Sequence, residues 1–226
     1  MAADRAEGVL AIWNDIRADR RADFESWYRN EHFPERLGVP GFRLGRRYEM
    51  ASGEGSARIG IADGPRYFCY YLGDTAATFT SPAYRERLNN PTALTRSMMS
   101  DAFHNMSRTV CRRAAIRGRM SSGLAVTARF HLPVDQGRAL ALLDTLAAED
   151  GIARAELWSA ADAAQGAPAK EEELRGGDRK IAACLLVEAM RAADAERARA
   201  EIAARFGAAA EVGVYALVCE LAGAGG

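Results

Sequence analysis

The sequence predicts an α+β protein in which two β-α-β-β-α-β halves form one barrel, with the sheets inside and the helices outside. Three observations predict this fold: short apolar runs typical of strands, longer amphipathic runs typical of helices, and the same order of elements in both halves. The halves are expected over residues 1–118 and 119–226. The same order of elements in both halves is stronger evidence for this fold than any single predicted element.

The first half alternates strand and helix patterns around an aromatic-rich helix. Its helices are expected over residues 19–33, where Phe24, Trp27 and Tyr28 recur at helical spacing, and over 75–88 and 92–105. A Gly/Ser-rich loop is expected over residues 51–64. The predicted strands, with alternating or apolar patterns, are GVLAIWNDI (8–16), FRLGRRYEM (42–50), RYFCYYL (66–72) and SRTVCRRAAI (107–116).

The second half repeats this order. Its predicted strands cover residues 123–132, 151–158, 179–190 and 210–221, and its helices cover 135–149 and 193–207. Residues 159–178 form a polar loop that is expected to be solvated. The β-α-β-β-α-β order is that of a ferredoxin-like unit, whose sheet carries both helices on one face. Two tandem ferredoxin-like repeats can bury the remaining faces by placing their sheets against each other.

Composition and charge exclude several classes of protein. Lys plus Arg and Asp plus Glu each number 30, so the basic excess typical of nucleic-acid-binding proteins is missing. No apolar run is long enough for a transmembrane helix, and the first residues do not resemble a secretory signal, so a cytoplasmic location is expected. The cysteines form no close pairs, which predicts buried thiols and no metal site.

The stretch WYRNEHFPERLGVPGF (27–42) carries the candidate catalytic residues. Glu31 lies three residues after Tyr28 and four after Trp27, so it continues the aromatic stripe of the helix. His32 lies on the flank of that stripe, and Pro34 is expected to loosen or end the helix. A histidine titrates near neutrality, so His32 is the candidate general acid/base, with Glu31 as a tuning or orienting partner.

Polar residues on two strands are candidates for the walls of a small-molecule pocket. Asn14 is the one polar member of an otherwise apolar face of the first strand, and Arg46 and Tyr48 share a face of the second. A polar residue on an apolar face either satisfies a buried group or contacts a ligand. The sequence does not reveal which sheet face each residue occupies. The predicted substrate-binding residues are Asn14, Trp27, Tyr28, Arg46 and Tyr48.

The motifs EHFPE and VPGF resemble the dimeric α/β-barrel superfamily, and most closely its EthD-like branch. That branch carries a His-x-Pro at the end of the first helix and a Pro-Gly before the second strand, here His32-Phe33-Pro34 and Pro40-Gly41. The resemblance implies a cofactor-independent lyase or isomerase, of dehydratase or cyclase type, acting on an aromatic, lactone or polyketide-like substrate. The second half has no counterpart of His32, so it is expected to be a structural partner.

Other interpretations remain open at this point. His32 could simply cap a helix end while Glu31 pairs with Arg36 or Arg46. The same pocket could serve a non-catalytic carrier or sensor, and some barrels of the superfamily bind haem through a helix histidine. Self-association into a homodimer is also left open.

Several further residues are assigned structural roles. His104 is expected to end the second helical region of the first half, and His131 to close the fifth strand. Met98, Met99 and Met106 are expected in the core. The basic cluster RTVCRRAAIRGR (108–119) is expected to be a solvated strand and linker.

Overall fold

A closed eight-stranded barrel organises the chain in the computed structural model, which describes residues 7–51, 64–162 and 165–224. Neighbouring strands are antiparallel throughout, in the order β1-β3-β2-β8-β5-β7-β6-β4. Closure leaves no sheet edge unpaired. The strands are β1 (Gly8–Ile16), β2 (Phe42–Met50), β3 (Tyr67–Gly73), β4 (Phe103–Gly118), β5 (Leu124–Phe130), β6 (Ile152–Ala160), β7 (Ala183–Ala189) and β8 (Glu211–Ala222).

The strand order is the same in the two halves of the barrel. The first half reads β4-β1-β3-β2 and the second reads β8-β5-β7-β6, so each runs fourth, first, third, second. The halves join where β2 pairs with β8 and where β4 pairs with β6. The predicted α+β class and antiparallel barrel are therefore confirmed. The origin of the halves by tandem duplication stays a prediction.

The interior of the barrel is filled by side chains from both halves. Phe68 stacks on Trp13 with ring centroids 4.9 Å apart and also contacts Tyr215, 5.5 Å away, from the second half. Trp158 of β6 packs against Tyr70 of β3 at 5.3 Å. An eight-stranded barrel has an interior just wide enough for such packing. The barrel lumen is thus a core shared by both halves.

Helices cover the outer faces of both sheets and form two further apolar cores. The first core is aromatic, and the second consists mainly of Leu, Val and Ala. The α-helices are α1 (Arg21–Trp27), α2 (Phe33–Leu37), α3 (Pro82–Asn89), α4 (Ala93–Asp101), α5 (Gln136–Ala147), α6 (Lys170–Leu174) and α7 (Ala192–Phe206). Within the described ranges, no helix has the length and apolar character needed to cross a bilayer.

The helix predicted over residues 19–33 is longer than expected. It does not end at Pro34: a π-helical segment (Tyr28–His32) follows α1, and α2 continues to Leu37. The amide of Phe33 donates to the carbonyl of Tyr28, five residues earlier. This wider turn accommodates the proline ring that would clash in a regular helix, and Pro34 lies in the first turn of α2, where its missing amide hydrogen costs little.

Three further expectations need correction. His104 does not end a helix, because β4 begins at Phe103 and includes it. The predicted polar loop at 159–178 contains α6, which packs on α3 and α4. The basic cluster is only partly solvated, since Arg108 is buried and the side chain of Arg113 is almost fully buried. Most of the predicted loop at 51–64 lies outside the described residues.

The predicted core residues are largely confirmed. Met98 and Met99 are buried, whereas Met106 is half-buried. His131 follows β5 and lies 3.2 Å from a carboxylate oxygen of Glu211. All four cysteines are free thiols, and those at 69, 111 and 184 are buried.

Candidate functional site

A cavity of about 40 Å³ lies between the outer face of the first sheet and the helices that cover it. It has aromatic and aliphatic walls with polar groups set among them. By the space that a water molecule occupies, it has room for about three waters or a very small organic molecule. Its polar and charged lining residues are Asn14, Tyr28, His32, Arg36, Cys69, Tyr71, Tyr84, Arg108, Glu171 and Arg175.

His32 reaches this cavity from the π-helical segment, a type of turn that is frequent at functional sites. Its ring packs against Trp27, with centroids 4.2 Å apart, and only 8% of the residue is exposed. Burial lowers the pKa of His32 well below its ordinary value near 6.5, and the positive charges of Arg36 and Arg175 add to the effect. The imidazole is therefore neutral at pH 7 and can accept a proton.

Three buried polar atoms at this cavity have no hydrogen-bond partner among the described residues. They are Nδ1 of His32, Nδ2 of Asn14 and Nη1 of Arg36. Nη1 of Arg36 lies 3.5 Å from a carboxylate oxygen of Glu35, but the geometry is not that of a hydrogen bond. Buried polar groups are nearly always paired, so three unpaired atoms around one cavity indicate that a ligand or water completes them.

Arginines from both halves of the chain surround the cavity. Arg36 pairs with Glu171 at 2.5 Å, and both side chains are almost completely buried. Arg175 forms two hydrogen bonds to Asp178, of 2.7 and 2.6 Å. Arg108 donates to the hydroxyl of Tyr84 at 3.3 Å. The cavity is thus more cationic than anionic.

The segment 165–180, here called the strap, brings the second half over the cavity of the first. Gln165 at one end forms hydrogen bonds to the backbone of Val110, and Arg179 at the other exchanges backbone hydrogen bonds with β4. The middle of the strap contributes Glu171 and Arg175 to the cavity lining. The site is therefore built from both halves, which the sequence analysis missed.

Tyr28, Cys69 and Tyr71 form a row of polar groups along one wall. The Tyr28 hydroxyl donates to Sγ of Cys69 at 2.9 Å and lies 3.2 Å from the Tyr71 hydroxyl. Burial raises the pKa of Cys69 to about 12 and raises the pKa values of both tyrosines. These groups are protonated at pH 7, so Cys69 is not an activated thiolate.

Glu31 does not face the cavity. Its carboxylate accepts hydrogen bonds from the hydroxyls of Thr92, at 2.5 Å, and Thr95, at 2.7 Å. The Thr95 hydroxyl in turn accepts a hydrogen bond from the indole of Trp27 at 2.9 Å. Glu31 therefore ties the first helix to α4 and fixes the ring on which His32 packs, and it pairs with neither of the arginines considered for it.

Arg46 and Tyr48 share a face, as predicted, but it is the inner face of the barrel. Arg46 pairs with the fully buried Glu188 at 2.5 Å, and the Tyr48 hydroxyl lies 3.5 Å from the same carboxylate oxygen. Arg154 contacts Glu188 as well, at 3.2 Å. The sheet separates this ionic cluster from His32. The prediction that Arg46 and Tyr48 join the His32 pocket is therefore wrong.

The corresponding positions of the second half are apolar. Ile12 of β1 pairs with Cys69 and Arg108, and its counterpart in β5, Ala128, pairs with leucine at 185 and valine at 212. Two residues further along each strand, Asn14 corresponds to phenylalanine at 130. Polar lining is thus confined to the first half and the strap.

Sequence reasoning identified Asn14, Tyr28 and His32 but missed four charged lining residues: Arg36, Arg108, Glu171 and Arg175. Arg108 shares the strand alternation of Val110, a signal that could have shown it to be buried. The strap residues carried no such signal. No group of three or more His, Cys, Asp or Glu side chains that could hold a metal ion occurs in the part of the chain that the structure describes.

No protein-family model matches the chain, and no curated protein matches it significantly. Solved structures do share its fold. A "putative monooxygenase" of Fusobacterium nucleatum is 8% identical, with a TM-score of 0.58 and coverage of 96% of this chain and 95% of the other. An "anthrone oxidase-like protein" is 9% identical, with a TM-score of 0.55 and coverage of 98% and 94%.

A "putative monooxygenase" of Lactobacillus acidophilus is 8% identical, with a TM-score of 0.50 and coverage of 96% of each chain. At such identities the likeness shows the fold alone. The chain therefore has a barrel of the dimeric α/β type, as the superfamily resemblance implied. Its relation to the EthD-like branch stays a prediction.

Proposed function

We propose that the chain is a small-molecule enzyme in which His32 transfers a proton at the cavity beneath the strap. One observation carries the proposal: the unpaired atoms of His32, Asn14 and Arg36 converge on a buried cavity. A structural histidine would be expected to have its ring nitrogens satisfied. A neutral imidazole close to the unpaired N–H groups of Asn14 and Arg36 is suited to remove a proton and leave a stabilised anion.

The reaction class is redox-neutral proton transfer, as in an isomerase or a lyase. In an isomerase, His32 takes a proton from carbon or oxygen of the substrate and returns it at another position. In a lyase, His32 takes the proton from carbon, the bond between the neighbouring carbon and the leaving group breaks as the double bond forms, and the protonated His32 gives its proton to the leaving group. The guanidinium of Arg36 and the amide of Asn14 bind the oxyanion that forms in between. These groups need no reorganisation, because they are already fixed by the helix and by β1.

Oxidation by molecular oxygen is the second candidate, favoured by the names of the similar structures, which include an anthrone oxidase-like protein. The anion produced by His32 would then be the species that reacts with oxygen. Oxygen uptake during turnover separates the candidates, since a lyase or isomerase consumes none.

Size limits the substrate and excludes haem. Pockets for drug-sized ligands have volumes of roughly 300–1,000 Å³, whereas this cavity has about 40 Å³. Haem does not fit, because its macrocycle is far larger than this cavity. A substrate of several fused rings does not fit either. The proposed substrates are therefore small enolisable acids and single-ring phenols or lactones.

The proposal includes a tandem duplication, with repeats over residues 1–118 and 119–226. The shared strand order supports it. The apolar lining of the second half supports the view that only the first repeat kept a site, while the second became its structural partner and supplies the strap.

Hydrogen–deuterium exchange into candidate substrates tests the proposal. Wild type is incubated in deuterated buffer with small oxo acids, phenols and lactones, and loss of the C–H signal is followed by proton NMR. We expect His32→Gln to slow exchange by about 10²–10⁴-fold, and His104→Gln, at an exposed position, to leave it unchanged. Equal rates for wild type and His32→Gln would refute the role of His32.

A further inference from the structure

We infer that the ligand of the His32 cavity carries a carboxylate and that Arg108 is its main anchor. The inference rests on the proposed function for the identity of the site and adds the chemical class of the ligand. It starts from the pairing of buried arginines. A buried guanidinium without an anionic partner is costly, so a protein normally supplies a carboxylate to each one.

The other buried arginines of the described residues all have such a partner within 4.0 Å. Their carboxylates are at 2.5 Å for Arg36 and Arg46, 2.6 Å for Arg47, 2.7 Å for Arg129 and 3.2 Å for Arg154. Arg108 is equally buried, but its guanidinium donates only to the hydroxyl of Tyr84, at 3.3 Å, and lies over that ring at 5.9 Å. Among the described residues, Asp178 and Glu172 act on it electrostatically, but neither forms an ion pair with it within 4.0 Å. It lines the cavity, where a bound anion would complete it.

Three further donors at the cavity also call for an acceptor. Asn14 and Arg36 each present an unpaired N–H group, and the hydroxyl of Tyr84, which accepts from Arg108, can donate its own hydrogen. The one carboxylate that lines the cavity, Glu171, is already paired with Arg36. A ligand carboxylate offers two oxygens with about four acceptor sites, which match an arginine and its neighbouring donors.

The apolar part of the lining indicates an organic acid in preference to an inorganic anion. Ile12, Leu88, Met99 and Phe103 face the cavity beside the donors and suit a short hydrocarbon tail. The volume restricts that tail to a few atoms. Propionate meets these requirements, whereas propanamide has the same shape but brings an N–H₂ group that the donors cannot satisfy.

Titration of the full chain tests this inference, with propionate, propanamide and inorganic phosphate as probes and intrinsic tryptophan fluorescence or calorimetry as the readout. We expect wild type to bind propionate at least about 10-fold more tightly than propanamide or phosphate. Arg108→Gln should lose at least about 10-fold in propionate affinity. The affinity of Arg108→Lys should lie between those of wild type and Arg108→Gln, because lysine keeps the positive charge but lacks the forked guanidinium donor. Arg112→Gln, on the same strand but exposed, should bind like wild type.

The outcomes separate this inference from the proposed function. His32→Gln should still bind propionate, so loss of exchange activity with retained binding supports both claims, whereas retained activity refutes the role of His32 alone. Equal affinity for propionate and propanamide, preference for phosphate, or undiminished binding by Arg108→Gln would overturn the carboxylate assignment. If Arg108→Gln does not fold, the comparison of probes on wild type and Arg108→Lys still decides the question.

Discussion

His32 is buried, its ring is stacked on that of Trp27, and its Nδ1 atom has no hydrogen-bond partner among the described residues. The π-helical turn produces this state, because it rotates His32 onto the face of Trp27 without breaking the helix at Pro34. The neighbouring Glu31 acts differently from what its position on the stripe predicts. It holds Thr92 and Thr95 and so fixes the surroundings of the imidazole.

Burial of His32 makes stability depend on pH. The pKa of His32 is lower in the folded than in the unfolded chain, so below about pH 6.5 the unfolded state binds more protons. The free energy of unfolding therefore falls as pH falls below that value, with a contribution from His32 of at most about 1.4 kcal/mol per pH unit. Urea unfolding from about pH 7.5 to about pH 5 should show a shallower decline for His32→Gln.

His104→Gln is the matched control, because His104 is exposed. The free energy of unfolding of His104→Gln should fall with pH in parallel with that of wild type. If His32→Gln lost stability with falling pH as steeply as wild type does, His32 would not be the buried neutral group that this account requires.

At the scale of elements, the strap brings Glu171 and Arg175 of the second half to the lining of the cavity. It is attached to β4 at both ends, and α6 contacts α3 and α4. The buried pair of Glu171 and Arg36 is the ionic contact between its centre and the first helix.

Glu171→Gln is expected to loosen the strap. Removing the charge leaves Arg36 without its close carboxylate partner, at a cost of about 3–5 kcal/mol for a buried pair. Amide hydrogen exchange over α6 should accelerate at least about 10-fold, while α5 keeps its protection. Glu173→Gln, which removes an exposed carboxylate paired with Lys170, should change little. Unchanged protection of α6 in Glu171→Gln would show that the pair does not hold the strap.

The positions of the strands and helices could largely be predicted from the sequence. Which face of each strand packs against the helices could not. Alternation and apolar runs identify the eight strands to within a few residues, because each strand follows the two-residue period. The same period does not say which face of a strand meets the helices. The sequence therefore predicts one pocket for Arg46 and Asn14, although they lie on opposite sides of the sheet. Glu171 was unpredictable for another reason: its partner, Arg36, is 135 residues away.

At the scale of the whole molecule, the two halves share one interior core and cannot be treated as independent units. Trp158 of β6 contacts Phe68 and Tyr70 of β3 across the barrel. The indole of Trp13 also donates to the hydroxyl of Thr127, 114 residues further along the chain, at 3.3 Å. Such contacts make unfolding of either half expose the core of the other.

Trp158→Ala tests this coupling. Truncating a buried tryptophan to alanine costs about 3–5 kcal/mol. Because the core is shared, we expect one cooperative transition at lower urea concentration, reported identically by the fluorescence of Trp13 and Trp27, both in the first half, and by circular dichroism of the whole chain. A second transition, with the first half as stable as in wild type, would show that the halves fold separately.

The central claim is that the cavity beneath the strap, with a neutral His32 at its wall, is the functional site. Long-range ¹H–¹⁵N correlation of the histidine rings tests it most directly, because the chain has only 3 histidines and His32→Gln assigns the signal. The account predicts a neutral His32 ring at about pH 7 whose nitrogen shifts move on addition of propionate, while His104 and His131 stay unchanged. A ring that is already protonated at this pH, or one that does not respond to saturating propionate, would contradict it.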